Sequence, residues 1–293
     1  MENVTMPSYF YFTLFKEFVH IKYFILILTL TVYLAIILFN AIILFVVFKE
    51  RSLHEPMYIL IFCLSVNDLY GSAGFFPRIM VDLLSDTNTI SRPACFVQIF
   101  TIYSFAISEY TILTLMAYDR YVAICNPLKY HQIMTSKVTA SSRLPLCGTD
   151  IARLYCSNWS VVRLSCGTST SSNNILGFFV STTTVFLPAF FILYTYVRIL
   201  IICHKSSKEF RGKALQTCLP HIISFLNYSI ASFCDIALSR YDSDKYKIVG
   251  IFFSVEFLII PPVLNPLIYG LNLPEIRKNI LCLLQRSKIS IFP

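Results

Sequence analysis

The polar chemistry of this chain sits at a few residues inside long apolar runs. Asp68 lies in "LSVNDL" and Glu109 in "ISEY", each several helical turns from the nearest charged segment. A charge at the centre of a bilayer costs about 2.5–3.5 kcal/mol on insertion scales unless it is neutralised or solvated. Two protonated, hydrogen-bonded carboxyls with no ion would avoid that cost. Glu256, early in the last apolar run, is a third candidate polar group or simply lines the interior. Asp119-Arg120-Tyr121 closes an apolar run of about 25 residues, long enough to span a membrane. Asp119 can hold the Arg120 guanidinium there until a partner takes it. Arg and Tyr also favour membrane boundaries as plain anchors. Asn265-Pro266 interrupts the final run: proline has no N–H, so it frees a carbonyl and bends the helix, and Tyr269 follows one turn further on. No H-E-x-x-H, Walker loop or nucleophile elbow occurs, so no enzyme is expected.

The elements that must carry these residues follow from composition. Of 293 residues, 56% are hydrophobic and 14% charged, where a soluble domain carries about 25% charged. The expectation is an all-α membrane helix bundle. Six segments are apolar over the roughly 20 residues a span needs: 23–48, 57–84, 96–125, 175–203, 214–238 and 248–271. Residues 274–284, "PEIRKNILCLL", read as an amphipathic helix along the membrane surface. The whole chain, 1–293, is expected to be one transmembrane domain, with a short outer N-terminus (1–20), a bundle (21–271) and an inner amphipathic helix and tail (272–293). No cleavable signal peptide is evident. The net charge of +8 lies between the spans, which suits anionic lipid and argues against nucleic acid as a partner.

Six spans conflict with the charge pattern. Basic segments at 49–54 and 120–137 fall inside if the N-terminus is outside, but those at 198–213 and 277–288 then fall outside, against the positive-inside rule. Residues 131–174 hold Lys137, Arg143, Asp150, Arg153 and Arg163 and no long apolar run, so none of this interval should span alone. One further crossing between Lys137 and Leu144 would resolve the conflict. Cys95, Cys147, Cys156 and Cys166 lie in loop-like sequence and suggest disulfides in an oxidising compartment, with three connectivities open. Asn3-Val4-Thr5 is a glycosylation acceptor pattern. A six-helix transporter or channel is a rival reading of the even count, but no inverted repeat or broken-helix pair supports it.

Several motifs together resemble one family. "LFN" with Asn40, "LSVNDL" with Asp68, "MAYDRYVAICNPLKY" and "PPVLNPLIYGL" are similar to rhodopsin-like G-protein-coupled receptors. "PMY" at 56–58, "KALQTCLPHI" at 213–222 and "NPLIYGL" resemble odorant receptors, with "EFLIIPP" and "CSNWSVV" similar to the fish type. The resemblance implies a seven-helix fold, a heterotrimeric G protein coupled at the inner face, a small-molecule odorant bound near the outer face, and a multi-pass protein of the plasma membrane. It implies activation roles for Asp119, Arg120, Tyr121, Tyr196, Asn265, Pro266 and Tyr269, with His221 on the moving helix. It brings Asn40, Asp68 and Glu109 into one polar cavity, where a sodium ion or a shared proton would offset the acids; no other cofactor is implied. It suggests a pocket at Ile102, Tyr103, Ala106, Ile107 and Thr184, and the disulfides Cys95–Cys156 and Cys147–Cys166. The final span has no lysine, which disfavours a retinal link, and Ile102 stands where amine receptors carry an acid. Such receptors carry a fourth span between the equivalents of Lys137 and Leu144. Here "SKVTASSRLPLCG" passes straight from inner-loop to outer-loop sequence, about one crossing short. A chain so shortened is expected to fold or traffic poorly, and a receptor remnant without signalling is the alternative.

Overall fold

A computed structural model describes residues 8–125, 149–151, 153–157, 164, 170–204, 207–238 and 247–291. Seven helices dominate: α1 (Lys22–Lys49), α2 (Pro56–Leu84), α3 (Arg92–Cys125), α4 (Thr170–His204), α5 (Lys208–Leu238), α6 (Lys247–Asn272) and α7 (Pro274–Ile291). Among the described residues six of them, α1 to α6, are long and apolar enough to cross a membrane. Helix is the only form in which such open runs satisfy their backbone groups in lipid. Pro56 opens α2, where a missing N–H costs nothing. Leu273 breaks the path between α6 and α7, and α7 turns away carrying Ile276 buried and Glu275 and Arg277 exposed. That alternation matches the amphipathic surface helix expected there, which runs on to Ile291.

The helices pack as a bundle in which α2, α3, α5 and α6 supply most of the interior. Buried faces recur at helical spacing, as at Ile61, Leu64, Asp68, Phe75 and Ile79 on α2. Gly71 and Gly74 let α3 approach closely: a Cβ on either would run into Phe105 or Thr101. Aromatic edges fill the centre, with Tyr228 of α5 lying 4.8 Å from the Tyr110 ring and 6.4 Å from those of Phe105 and Phe257.

One feature departs from the all-helical expectation. Three short strands, β1 (Tyr9–Phe12), β2 (Thr89–Ser91) and β3 (Asp150–Ile151), form a small sheet in the order β2-β1-β3. β1 is antiparallel to β2 and parallel to β3. Its side chains alternate, with Phe10 and Phe12 buried and Tyr9 and Tyr11 exposed. β2 leads directly into α3, so the sheet marks the end of the bundle where α3 begins. The segment expected as a short N-terminus, 1–20, thus contributes β1 and most of a 3-10 helix (Leu14–Ile21).

At 1.5 Å per residue, the 34-residue α3 carries the chain about 50 Å away from that sheet. Thr149, whose carbonyl accepts from Tyr11 N–H at 2.9 Å, is back at the sheet. Cys125 and Thr149 therefore lie at opposite ends of the bundle. The proposed shortfall at 137–144 lies outside the described residues.

Candidate functional site

The mid-span acids meet. Asp68 of α2 and Glu109 of α3 are fully buried. Asn265 of α6 joins them: its Nδ2 donates to Glu109 Oε1 at 2.9 Å and faces both Asp68 oxygens at 3.2 and 3.3 Å. Asn67, a residue the sequence did not single out, donates to Glu109 Oε2 at 2.9 Å and to the Phe105 carbonyl at 3.2 Å. Among the described residues no basic side chain pairs with either acid. Amide donors alone cannot neutralise two carboxylates in an apolar interior. Asn40 Oδ1 and Ser72 Oγ are buried without a hydrogen-bond partner. Carboxylate oxygens are ligands of a hard cation, so Asp68 and Glu109 fit a sodium ion by their chemistry.

Asn40 acts on the backbone. Its Nδ2 donates to the Pro262 carbonyl at 2.9 Å and to that of Ile36 at 3.0 Å. Pro266 stands four residues after Pro262 and has no N–H to offer it. Asn40 thus fills the carbonyl that Pro266 orphans, and in doing so ties α1 to α6.

Toward the C-terminal end of α3, Arg120 donates from Nη2 and Nε to Asp119 Oδ2 at 2.6 and 3.1 Å. Both are mostly buried, and Tyr121 is half-buried beside them. Tyr196 of α4 is buried with its hydroxyl unpartnered. Tyr269 of α6 is fully buried and shares a hydrogen bond of 3.2 Å with His221 Nδ1 of α5. The acid cluster and this inner group lie one turn apart along α6, at Asn265 and Tyr269.

Near the sheet, a disulfide joins Cys95 of α3 to Cys156. Cys147, Cys166 and Asn3 lie outside the described residues, as does the side chain of Thr184. Of the expected pocket wall, Ile102 is buried and Ala106 half-buried, whereas Tyr103 and Ile107 are 40% and 44% exposed on another face of α3. The two pairs differ because residues one apart on a helix point about 100° apart. Sequence reading also missed the ion pairs of Arg78 to Asp82 and, at 2.8 Å, of Arg153 to Asp235. The first is visible in principle as an i,i+4 pair; the second spans 82 residues and leaves no local signal.

Comparison with known proteins agrees with this geometry. The squid rhodopsin crystal structure superposes with a TM-score of 0.69 at 17% identity, over 94% of this chain and 90% of that one. The fold is thus that of a rhodopsin-type membrane receptor. The olfactory receptor family profile matches residues 29–144 and again 140–287. Human olfactory receptor 52K1 is 35% identical, covering 84% of this chain and 85% of its own, and human olfactory receptor 51I2 is 34% identical over 82% and 84%. The chain belongs to the olfactory receptor family, a family of multi-pass signalling receptors and not of enzymes. The family match breaks and restarts within 140–144, at the junction where the sequence falls short of a crossing.

Proposed function

We propose that the protein is an odorant receptor of the plasma membrane that binds a small molecule between its outer helix ends and activates a heterotrimeric G protein at its inner face. The carrying observation is that α6 holds both polar centres: Asn265 on Asp68 and Glu109, and Tyr269 on His221. A ligand that favours another packing of α5 against α6 would disturb Tyr269–His221 and open the space around Arg120 and Tyr196. Asp119, Arg120 and Tyr121 would then meet the G protein, while Asn265 and Pro266 supply the bend about which α6 repacks. The ligand would contact Ile102 and Ala106, with Tyr103, Ile107 and Thr184 at the margins. A sodium ion or a shared proton at Asp68 and Glu109 would steady the resting packing. Cys147–Cys166 would close a second outer disulfide, and Asn3 would carry a glycan.

The test is second-messenger output from cells exposed to an odorant panel, normalised to receptor at the surface. An odorant-evoked response that Arg120→Ala abolishes, at unchanged surface level, is the expected result. A response that survives Arg120→Ala, or silence across the panel from a well-displayed receptor, defeats the reading.

A further inference from the structure

His221, Tyr228 and Asp235 are spaced seven residues apart along α5. Two turns of helix separate each from the next, so all three share one face. Each meets a different partner: His221 meets Tyr269 of α6, Tyr228 packs on Tyr110 of α3, and Asp235 accepts from Arg153 Nη1 at 2.8 Å. The outer and inner contacts therefore lie at equal distances, about 10 Å, on either side of a fully buried aromatic.

The loop that carries Arg153 is itself anchored on both sides. Ile151 is in β3, and its carbonyl accepts from Thr13 N–H at 3.1 Å. Cys156 is bonded to Cys95, and its N–H donates to Gln98 Oε1 at 2.9 Å. Tyr155 is buried edge-on against Phe75, 6.0 Å between ring centres. Arg153 thus lies between an anchor on the sheet at Ile151 and an anchor on α3 at Cys156. The ion pair is well shielded, with 16% and 18% of the two side chains exposed. Burial works against the Arg153 charge, but Asp235 and Tyr155 more than offset it and leave its pKa above the usual value.

We propose that Arg153 and Asp235 are positioning residues that tie the outer end of α5 to the loop clamped on α3, and that this tie holds α5 in its resting packing. With Tyr228 as the fulcrum, a tilt that parts Arg153 from Asp235 is matched by a shift of similar size at His221. Cutting the outer tie thus weakens the inner contact without touching any inner residue. The inference rests on the receptor reading for its consequence at the G protein, but the movement of α5 can be measured separately.

The measurement is the rate at which a membrane-permeant maleimide alkylates Cys218, which is buried on the inner half of α5, read site by site by mass spectrometry on the full chain in membranes. Asp235→Asn and Arg153→Ala are each expected to raise that rate at least about twofold, the lower end of the typical coupling energies between contacting residues. The reversed pair, Arg153→Asp with Asp235→Arg, is expected to bring it back toward the wild-type rate. Cys203, buried on α4, reports general unfolding and should not change. Unchanged Cys218 reactivity in the single variants overturns the inference, as does no recovery in the reversed pair or an equal rise at Cys203. Nucleotide exchange on added G protein is measured in the same membranes. Faster Cys218 alkylation with no exchange in any variant upholds the tie and overturns the receptor reading instead.

Discussion

Single side chains in this bundle act by completing a partner that cannot complete itself. Asn40 and the Pro262 carbonyl are the plainest case. Asn40→Ala leaves a buried acceptor without a donor and should cost about 1–3 kcal/mol. Thr31→Ala removes only an exposed hydroxyl that bonds back to its own helix at Ile27, and should cost far less. Thermal unfolding of the two variants side by side in detergent checks the difference. Asp68 and Glu109 make a second case, because two acids share amide donors and need a further positive charge. Replacing a large organic cation by sodium is expected to raise the melting temperature of the wild type and to leave that of Glu109→Gln unmoved. Equal behaviour of the two would assign the balancing charge to a proton. The types of these residues were legible in the sequence, because polar groups in apolar runs stand out. Their pairings were legible only through the family resemblance, since hydrogen bonds between helices follow no local period. The neighbour Asn67 escaped notice because it stands beside Asp68, which already explained the polarity of that stretch.

The helices themselves were the most readable elements, as length and hydropathy fix a span almost without reference to packing. Their ends were less so. α3 begins at Arg92, four residues before the expected start at 96, because a helix can run past the apolar core. The sheet was hidden for a different reason. Strands of two to four residues are too short for a period to register, and "YFYF" reads equally well as interfacial aromatics. Packing between elements also gives a prediction. Gly71→Ala places a methyl group against the Phe105 ring where α2 and α3 are in contact, and should cost about 1–3 kcal/mol through overpacking. Gly212→Ala on α5 meets nothing within 4 Å, and should gain up to about 1 kcal/mol from helix propensity. Opposite signs in thermal stability are the expected outcome; a loss at both positions would show that the α2–α3 contact is not the cause.

At the scale of the whole molecule the decisive stretch of sequence is the passage from Cys125 to Thr149. The helices on both sides keep the packing of a receptor fold, yet the sequence between them carries no apolar run of spanning length. Insertion of an apolar segment of about 20 residues between Lys137 and Leu144 supplies one crossing. It should raise surface display of an epitope-tagged chain several-fold, read by antibody labelling of intact cells. A wild-type chain already displayed as well as the extended one would remove the argument for a shortfall. The sheet sets a further condition, on biosynthesis. β1 ends at Phe12, but β3 begins at Asp150, so the first strand leaves the ribosome long before its second partner exists. At about 5–20 residues per second the wait is on the order of ten seconds. Through that interval the edge of Tyr9–Phe12 that will face β3 stands unpaired, a strand edge open to wrong pairing until translation reaches Ile151.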